Sequence, residues 1–412
     1  MMKTQSKKKH LIVAGIAALL MASSLGLNIN TIGVYLQPMA SSLNVSMGAM
    51  STHSMLISIG LACGAFIVPP ALNYFNIRWL VLVSALGLAA TTVGMSFSTQ
   101  VWMFNVLGFI RGVAASLSAI VPLQLLINNW FIAKHGLATS FVFSFSGVAG
   151  ALFSPILASI VENQGWRMAL VIKAGIFVLL SLPGILIPYH LKPEEEGLTP
   201  YGADENGDSQ SVDTVNKVLR KPFTFQSITF AITLTFGFLI PTITAIAQHL
   251  ANIGIDFGFS AAIGALMISA CMVGNIVFKL IIGAISDAFG IITAVVVMAS
   301  GVIVGLVLLL IAQSNVVVLV GSLFVGAVYS MASVGISLTV KHIYSAMEFP
   351  KVFPMVNFIG SIGGAVAVSL YGFSYDLSGG YTLSLVVSIG VMILVIGLIL
   401  IANRTSLATS KA

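Results

Sequence analysis

Charge is scarce in this chain. Charged residues make up 7% of its 412 positions against 58% hydrophobic, and the mean hydropathy is +1.06. A soluble protein with that balance would have too little polar surface to face water, so lipid has to supply most of the solvent. Cysteine is nearly missing as well. Cys63 and Cys271 have no metal-ligand spacing around them, so packing is their expected role and no metal is expected. There is no phosphate-cradling G-x-x-x-x-G-K and no H-E-x-x-H, and the one long polar loop is too small for a catalytic domain. These absences argue against an enzyme and against a cofactor. The pI near 9.3 comes from basic residues scattered as flanks, with no patch interleaved with aromatics, so nucleic acid is not an expected partner.

What the chain does have is twelve apolar stretches of roughly 20 to 28 residues each, the length that crosses a bilayer as a helix. They lie near 11–37, 51–70, 79–97, 101–127, 136–161, 166–190, 223–250, 259–283, 291–312, 315–341, 353–371 and 380–402. The first follows Lys7, Lys8, Lys9 and His10 but runs too long for a signal peptide and lacks a cleavage pattern, so it reads as a retained helix. Lys3, Lys7, Lys8, Lys9, Arg78, Lys134, Lys192, Lys217, Arg220, Lys221, Lys341, Lys351, Arg404 and Lys411 fall on one side of these spans, and only Arg167 falls on the other. Cytoplasmic loops retain positive charge, so both termini are expected in the cytoplasm. The compact loops point to a bacterial inner membrane, with the lipid bilayer as partner and a monomer as the working unit.

The polar stretch LKPEEEGLTPYGADENGDSQSVDTVNKVLRKP, 191–222, divides the spans into two sets of six. The expected organisation is an N-terminal six-helix bundle over 1–190, a cytoplasmic linker over 191–222 and a C-terminal six-helix bundle over 223–412. The halves read as copies. Asn73 and Asn76 recur 214 positions later as Asp287 and Gly290, and Gly165–Trp166 recurs 215 positions later as Gly380–Tyr381. Two similar bundles that rock about a shared interface suit a carrier better than a pore. Gly60 with Gly64, and Gly360 with Gly364, read as close-packing sites, and Pro69, Pro70, Pro155, Pro183 and Pro241 as points where helices bend.

Only three charged residues fall inside the spans: Arg111, Lys173 and Lys279. All twelve acids fall in loops or at helix ends, so the interior holds cations without a resident carboxylate, and an anionic substrate would complete the pairing. Lys279 lies eight residues before Asp287, about 12 Å into the membrane, with Asn275 one turn earlier on the same face. Its alternative role is a lysine snorkelling to the surface. Arg111, about 15 Å into helix 4, either contacts a second carboxylate oxygen or ties helices together. Lys173 reads as snorkelling outward. Asn28, Asn30, Tyr35, Gln37, Gln124, His249, Tyr329 and Asn357 are the remaining polar candidates. Helix–helix hydrogen bonding is the bland explanation for each, and Tyr35 and Tyr329 suit a cavity wall best. His53 and His249 are expected near the outer ends of their helices, so no titratable histidine or carboxylate is placed at the centre.

Gly283-Ala-Ile-Ser-Asp287-Ala-Phe-Gly290 resembles the G-x-x-x-D-R-x-G gating loop of the major facilitator superfamily, with Ala288 where that family has arginine; the first-half copy keeps only Arg78. The segments GVYLQPMASSLNVS, NNWFIAKHGLATS, ENQGWRMAL, LKPEEEGLTPYG and YDLSGGYTLSL resemble the oxalate/formate antiporter and monocarboxylate transporter group within it. That resemblance implies an all-α integral membrane protein of twelve transmembrane helices, the major facilitator fold of two pseudo-symmetric six-helix bundles. It implies a carrier of a small organic acid anion, by proton symport or by exchange with a counter-transported anion. Lys279 stands where the group carries its helix-8 cation. By the same resemblance, oxalate-type carriers use a second cation in helix 11, where this chain has Asn357 and no interior charge, so the resemblance favours a monocarboxylate over oxalate, although Arg111 could supply the second contact. The expected substrate residues are therefore Lys279, Arg111, Asn275, Tyr35, Tyr329, Asn28, Asn357 and Gln124, and the expected gate is Gly283, Asp287, Gly290 and Arg78. The rivals are a facilitator of a neutral solute or drug and a membrane sensor that binds without transporting.

Overall fold

The computed structural model describes residues 2–132, 135–203, 228–344 and 348–411, which are helical almost throughout. Ten helices among the described residues are long and apolar enough to cross a membrane, and one bent pair adds an eleventh. One of the ten, Phe141–Leu186, has 46 residues, too many for one span at 1.5 Å per residue. It breaks at Gly165, whose φ of 82° and ψ of 159° only glycine adopts without strain. Twelve spans result among the described residues, the number expected from composition.

In chain order they are α1 (Lys8–Leu27, continued after a turn by Gly33–Leu43), α2 (Met47–Tyr74), α3 (Ile77–Phe97) and α4 (Val101–Trp130). The two arms of His135–Leu186 on either side of Gly165 are α5 and α6. Then follow α7 (Thr229–Thr244 with Ile246–Asp256), α8 (Ala261–Phe289), α9 (Ile291–Leu310), α10 (Asn315–Val340), α11 (Phe349–Ser378) and α12 (Thr382–Lys411). By contact the chain forms two compact units: Met1–Thr31, Leu56–Phe153 and Ile160–Lys217, and Ile32–Met55, Ser154–Ser159 and Val218–Ala412.

Each unit contains a helix crossing built from glycine. In the first, a side chain on Gly60 of α2 would strike the Phe109 carbonyl of α4, and one on Gly112 of α4 would strike the Ile57 carbonyl of α2. In the second, Gly274 of α8 meets the Leu323 carbonyl and Gly326 of α10 meets the Cys271 carbonyl. Gly274, Leu323, Gly326 and Cys271 stand 214 positions after Gly60, Phe109, Gly112 and Ile57, the offset already seen at Asn73 and Asp287. Backbone against backbone is the closest approach two helices can make, and small residues permit it. Gly64 joins the first crossing against Val113 and Ser116, and Gly360 and Gly364 lie on Gly237 and Pro241 of α7, so both expected small-residue pairs are packing sites.

The helix breaks follow the same offset. α1 leaves helical hydrogen bonding in the turn after Leu27, and α7 breaks at Ala245, which is 214 positions after Thr31. α4 unwinds at 117–119, and α10 widens into a π-helical turn at Met331–Gly335, where Met331 is 214 positions after Leu117. Irregular backbone at membrane depth is tolerated only where protein buries it or it lines a cavity, so these four helices mark the interior of each unit.

The polar stretch after α6 starts with a folded strap. Lys9 donates to the Pro188 carbonyl at 2.6 Å and pairs with Glu196 at 2.9 Å. The Trp130 indole N–H donates to the His190 carbonyl, the Asn129 amide donates to that of Leu191, and Tyr201 forms an isolated bridge with Phe131. His10 sits edge-on to Trp130, Phe131 and Tyr201 with ring centroids 5.4 to 5.9 Å away. Two of the quoted segments, NNWFIAKHGLATS and LKPEEEGLTPYG, thus pack on each other. Positions 204–222 of the expected linker lie outside the described residues, as do Lys134, Lys217, Arg220 and Lys221 and the side chains of Lys3, Lys7, Asp287, Lys341, Lys351, Arg404 and Lys411. Among the basic residues described, Lys9 and Arg78 share the end where α6 stops: Arg78 donates to the Ile185 carbonyl, the charge that the end of a helix favours. Arg167 lies at the other end, against the carbonyls of Ser96 and Ser98.

Burial alone would raise the Glu196 carboxyl, but hydrogen bonds from Lys9 and His190 and the Lys9 charge hold it below its ordinary value. A carboxylate depressed in the fold stabilises fully above the unfolded value, about pH 4.3, and that contribution is lost as pH falls through the lower folded value. The melting temperature of Glu196→Gln should therefore lie below wild type by a constant margin from pH 7 to pH 5, and the margin should close at more acidic pH. A margin independent of pH down to the acid limit would count against this strap.

Candidate functional site

The first unit gathers its polar residues at the breaks in α1 and α4. α1 widens into a π-helical turn at Ala22–Leu27, and in the irregular turn that follows it the Asn28 carbonyl accepts from Arg111 of α4. The guanidinium donates through Nε to Asn28 Oδ1 at 2.6 Å and through an Nη to the Asn28 carbonyl at 3.0 Å, with Met95 Sδ at 3.6 Å and the Phe177 ring at 5.6 Å. Arg111 is 1% exposed. These contacts join α4 to α1. Ser24 reinforces it by donating to the carbonyl of Ser118, inside the α4 break, while Ser118 and Ser84 share a hydroxyl contact of 2.7 Å.

Lys173 of α6 does not snorkel outward. It is 1% exposed, donates to Thr31 Oγ1 at 2.9 Å and lies 5.9 Å from the Phe177 ring that Arg111 also faces. The sequence hides this partner, because Thr31 is 142 residues away in the α1 turn. Gln124 donates to Asn128 one turn on along α4. Asn30 donates to the Ser146 carbonyl of α5.

The second unit holds Lys279 and Asn275 of α8, Tyr329 of α10, Asn357 of α11 and, from the continued arm of α1, Tyr35. Lys279 is half-buried and makes no hydrogen bond or ion pair among the described residues. Asn275, one turn earlier, is 2% exposed, and its Oδ1 receives no donor. The Tyr329 hydroxyl makes no hydrogen bond among the described residues, the Asn357 side chain is exposed, and Tyr35 is buried. The α8–α10 glycine crossing fixes Asn275 against Gly326. Gly290 ends α8 with φ of 84° and ψ of 158°, so the last glycine of the loop motif is a backbone requirement; Gly283 has open space around it.

Two histidines expected near helix ends are buried. His53 is 3% exposed and His249 is fully enclosed. His249 Nε2 faces the Val368 carbonyl at 2.9 Å and must donate to it, so Nδ1 accepts from the Tyr381 hydroxyl at 2.9 Å. The sequence also left out Gln248 and Asn252, buried on one face of α7, each with an amide atom lacking a partner. Their i, i+4 spacing was the available signal.

The family model of the major facilitator superfamily matches residues 18–368. The chain belongs to that superfamily. It is 21% identical over 253 residues to a probable transporter of Saccharomyces cerevisiae, MCH2, covering 60% of this chain and half of the yeast protein's length. It is 21% identical to the MFS-type transporter YcxA of Bacillus subtilis over 87% of both chains, and 22% identical to monocarboxylate transporter 13 of Rattus norvegicus over 81% of this chain and 76% of the rat protein. Among solved structures, a D-xylose–proton symporter superposes with a TM-score of 0.70 at 15% identity, covering 95% of this chain and 96% of that one. At that identity the likeness shows the fold.

Membership makes the chain a multi-pass membrane transporter and sets aside an enzyme. It also gives the two clusters different standing. In the first unit the cations are occupied by Asn28 and Thr31, whereas in the second Lys279 has nothing in the described chain to satisfy it. A charged group in a membrane span meets water, an anion or a large energetic cost.

Proposed function

We propose that this facilitator carries a small organic acid anion, a monocarboxylate in preference to oxalate, across a bacterial cytoplasmic membrane by alternating access, with both termini inside. The observation that carries the reading is the Lys279 ammonium, set in α8 without a partner among the described residues. A carboxylate would complete it, and Asn275 Oδ1, buried without a donor, would accept from a hydroxyl or a protonated carboxyl of the same solute. The name of the rat relative supports the same class. Tyr329, Asn357 and Tyr35 are the remaining contacts in this reading. Arg111 and Asn28 hold α4 to the α1 turn within the first unit.

The test is uptake into proteoliposomes of labelled lactate, pyruvate, formate, acetate and oxalate, with D-xylose as neutral control. Each is run with and without a pH gradient and with and without internal anion. A monocarboxylate accumulating above xylose and oxalate supports the reading. Stimulation by the pH gradient identifies proton symport, and stimulation by internal anion identifies exchange. Uptake of xylose but no acid would replace this reading with a neutral-solute carrier.

A further inference from the structure

The segment Ile32–Met55 packs within the second unit, although the chain up to Thr31 and again from Leu56 packs within the first. Asp376, near the end of α11, is one reason. Its carboxylate accepts from the backbone N–H of Met47 at 3.0 Å and of Gly48 at 2.8 Å, the first two residues of α2. The start of a helix presents orphan N–H groups and a partial positive charge, and α2 has no acid of its own in its first turn. Glycine on both sides permits the approach. A side chain on Gly48 would overlap the Phe373 ring, and one on Gly372 would come within 2.6 Å of Ser51 Oγ and 2.8 Å of the Met47 carbonyl.

The second contact is weaker by construction. The Gly33–Leu43 arm of α1 lies on the Ile246–Asp256 arm of α7, with Gly33 against the Gln248 carbonyl. Gln37 Oε1, Gln248 Oε1 and Asn252 Nδ2 are buried on these two arms without hydrogen-bond partners. Buried polar atoms without partners weaken the contact that holds them and regain their hydrogen bonds from water once it opens.

We propose that Ile32–Met55 is a releasable clamp on the second unit, latched by the Asp376 carboxylate on the start of α2 and loosened along α1 and α7 by Gln37, Gln248 and Asn252. Opening of the latch frees both arms together, because the chain between Gly33 and Met55 is continuous. The inference rests on transport by alternating access and is independent of which solute is carried.

Hydrogen exchange of the full chain in lipid nanodiscs, without solute, tests it. Loss of a capping acceptor shifts an opening equilibrium by about tenfold, so Asp376→Ala should speed exchange by that order across 44–56 and 246–256. Exchange in Ile77–Phe97 should be unchanged. Gly372→Ala should give the same pattern by wedging the two helices apart, which provides a second route if the first variant folds poorly. Asp376→Glu, which keeps an acceptor, should restore most of the protection. Unchanged exchange at 44–56 in both disruptive variants overturns the latch, and so does an increase spread equally over Ile77–Phe97. Failure of acid uptake in the solute panel would leave this result standing, so the two readings fall separately.

Discussion

Lys279→Ala should abolish uptake of the preferred acid while leaving the protein folded. The two halves of that result share one cause. Lys279 makes no hydrogen bond or ion pair among the described residues, so its removal leaves no orphaned donor or acceptor behind and the melting temperature should hold. On the proposed reading what is lost is the charge-assisted bond to the solute, an effect on the order of 100-fold. Lys279→Arg keeps the charge but replaces a compact ammonium with a planar fork. It should retain measurable uptake with a raised KM, and its relative rates for oxalate and monocarboxylates should change. Full uptake by the alanine variant at unchanged KM would remove Lys279 from the site and with it the acid-carrier reading.

The second large effect lies in the first unit and concerns stability. Asn28→Leu takes from the buried Arg111 guanidinium one of the two acceptors that Asn28 supplies, because Oδ1 is gone and the Asn28 carbonyl stays. Losing a buried hydrogen bond to a charged group costs about 1.5 to 3 kcal/mol, a large share of the stability of a typical domain. The variant should therefore accumulate poorly and melt early in detergent. Arg111→Leu should also destabilise, since Asn28 then loses its donor. The double variant Asn28→Leu with Arg111→Leu should be more stable than the sum of the two singles implies, because replacing both members by apolar groups removes the desolvation cost together with the bond. Additive losses would show that the two side chains act separately. A wild-type melting temperature for Asn28→Leu would show that the tie carries nothing.

Much of the architecture was legible in sequence because it depends on local quantities. Span length follows from apolar run length, and the duplication shows in an offset of 214 that the glycine crossings at Gly60, Gly112, Gly274 and Gly326 then repeat contact for contact. The helix breaks were harder to read. α7 carries Pro241 near its break, but neither the α1 turn at 28–32 nor the α10 turn at Met331–Gly335 contains proline. The α1 turn is held by partners 83 and 142 residues away, Arg111 and Lys173, and no window of sequence shows such a pairing. For the same reason Lys173 read as a snorkelling lysine. The strap over 188–203 escaped because its composition is that of a flexible loop, while its order comes from Lys9, Trp130 and Tyr201 elsewhere in the unit.

The glycine crossings have a consequence for how such a carrier diversifies. Where two helices meet backbone to backbone, no side-chain shape has to match across the joint, so α2 with α4 and α8 with α10 form a chassis indifferent to the residues one turn away. Ala65 and Lys279 occupy equivalent stations in the two copies, as do Arg111 and Val325. Charge has been written differently onto the same frame. Two copies built on such joints can diverge one residue at a time, and a substitution at 65 or 279 leaves the backbone contacts at Gly60, Gly112, Gly274 and Gly326 alone.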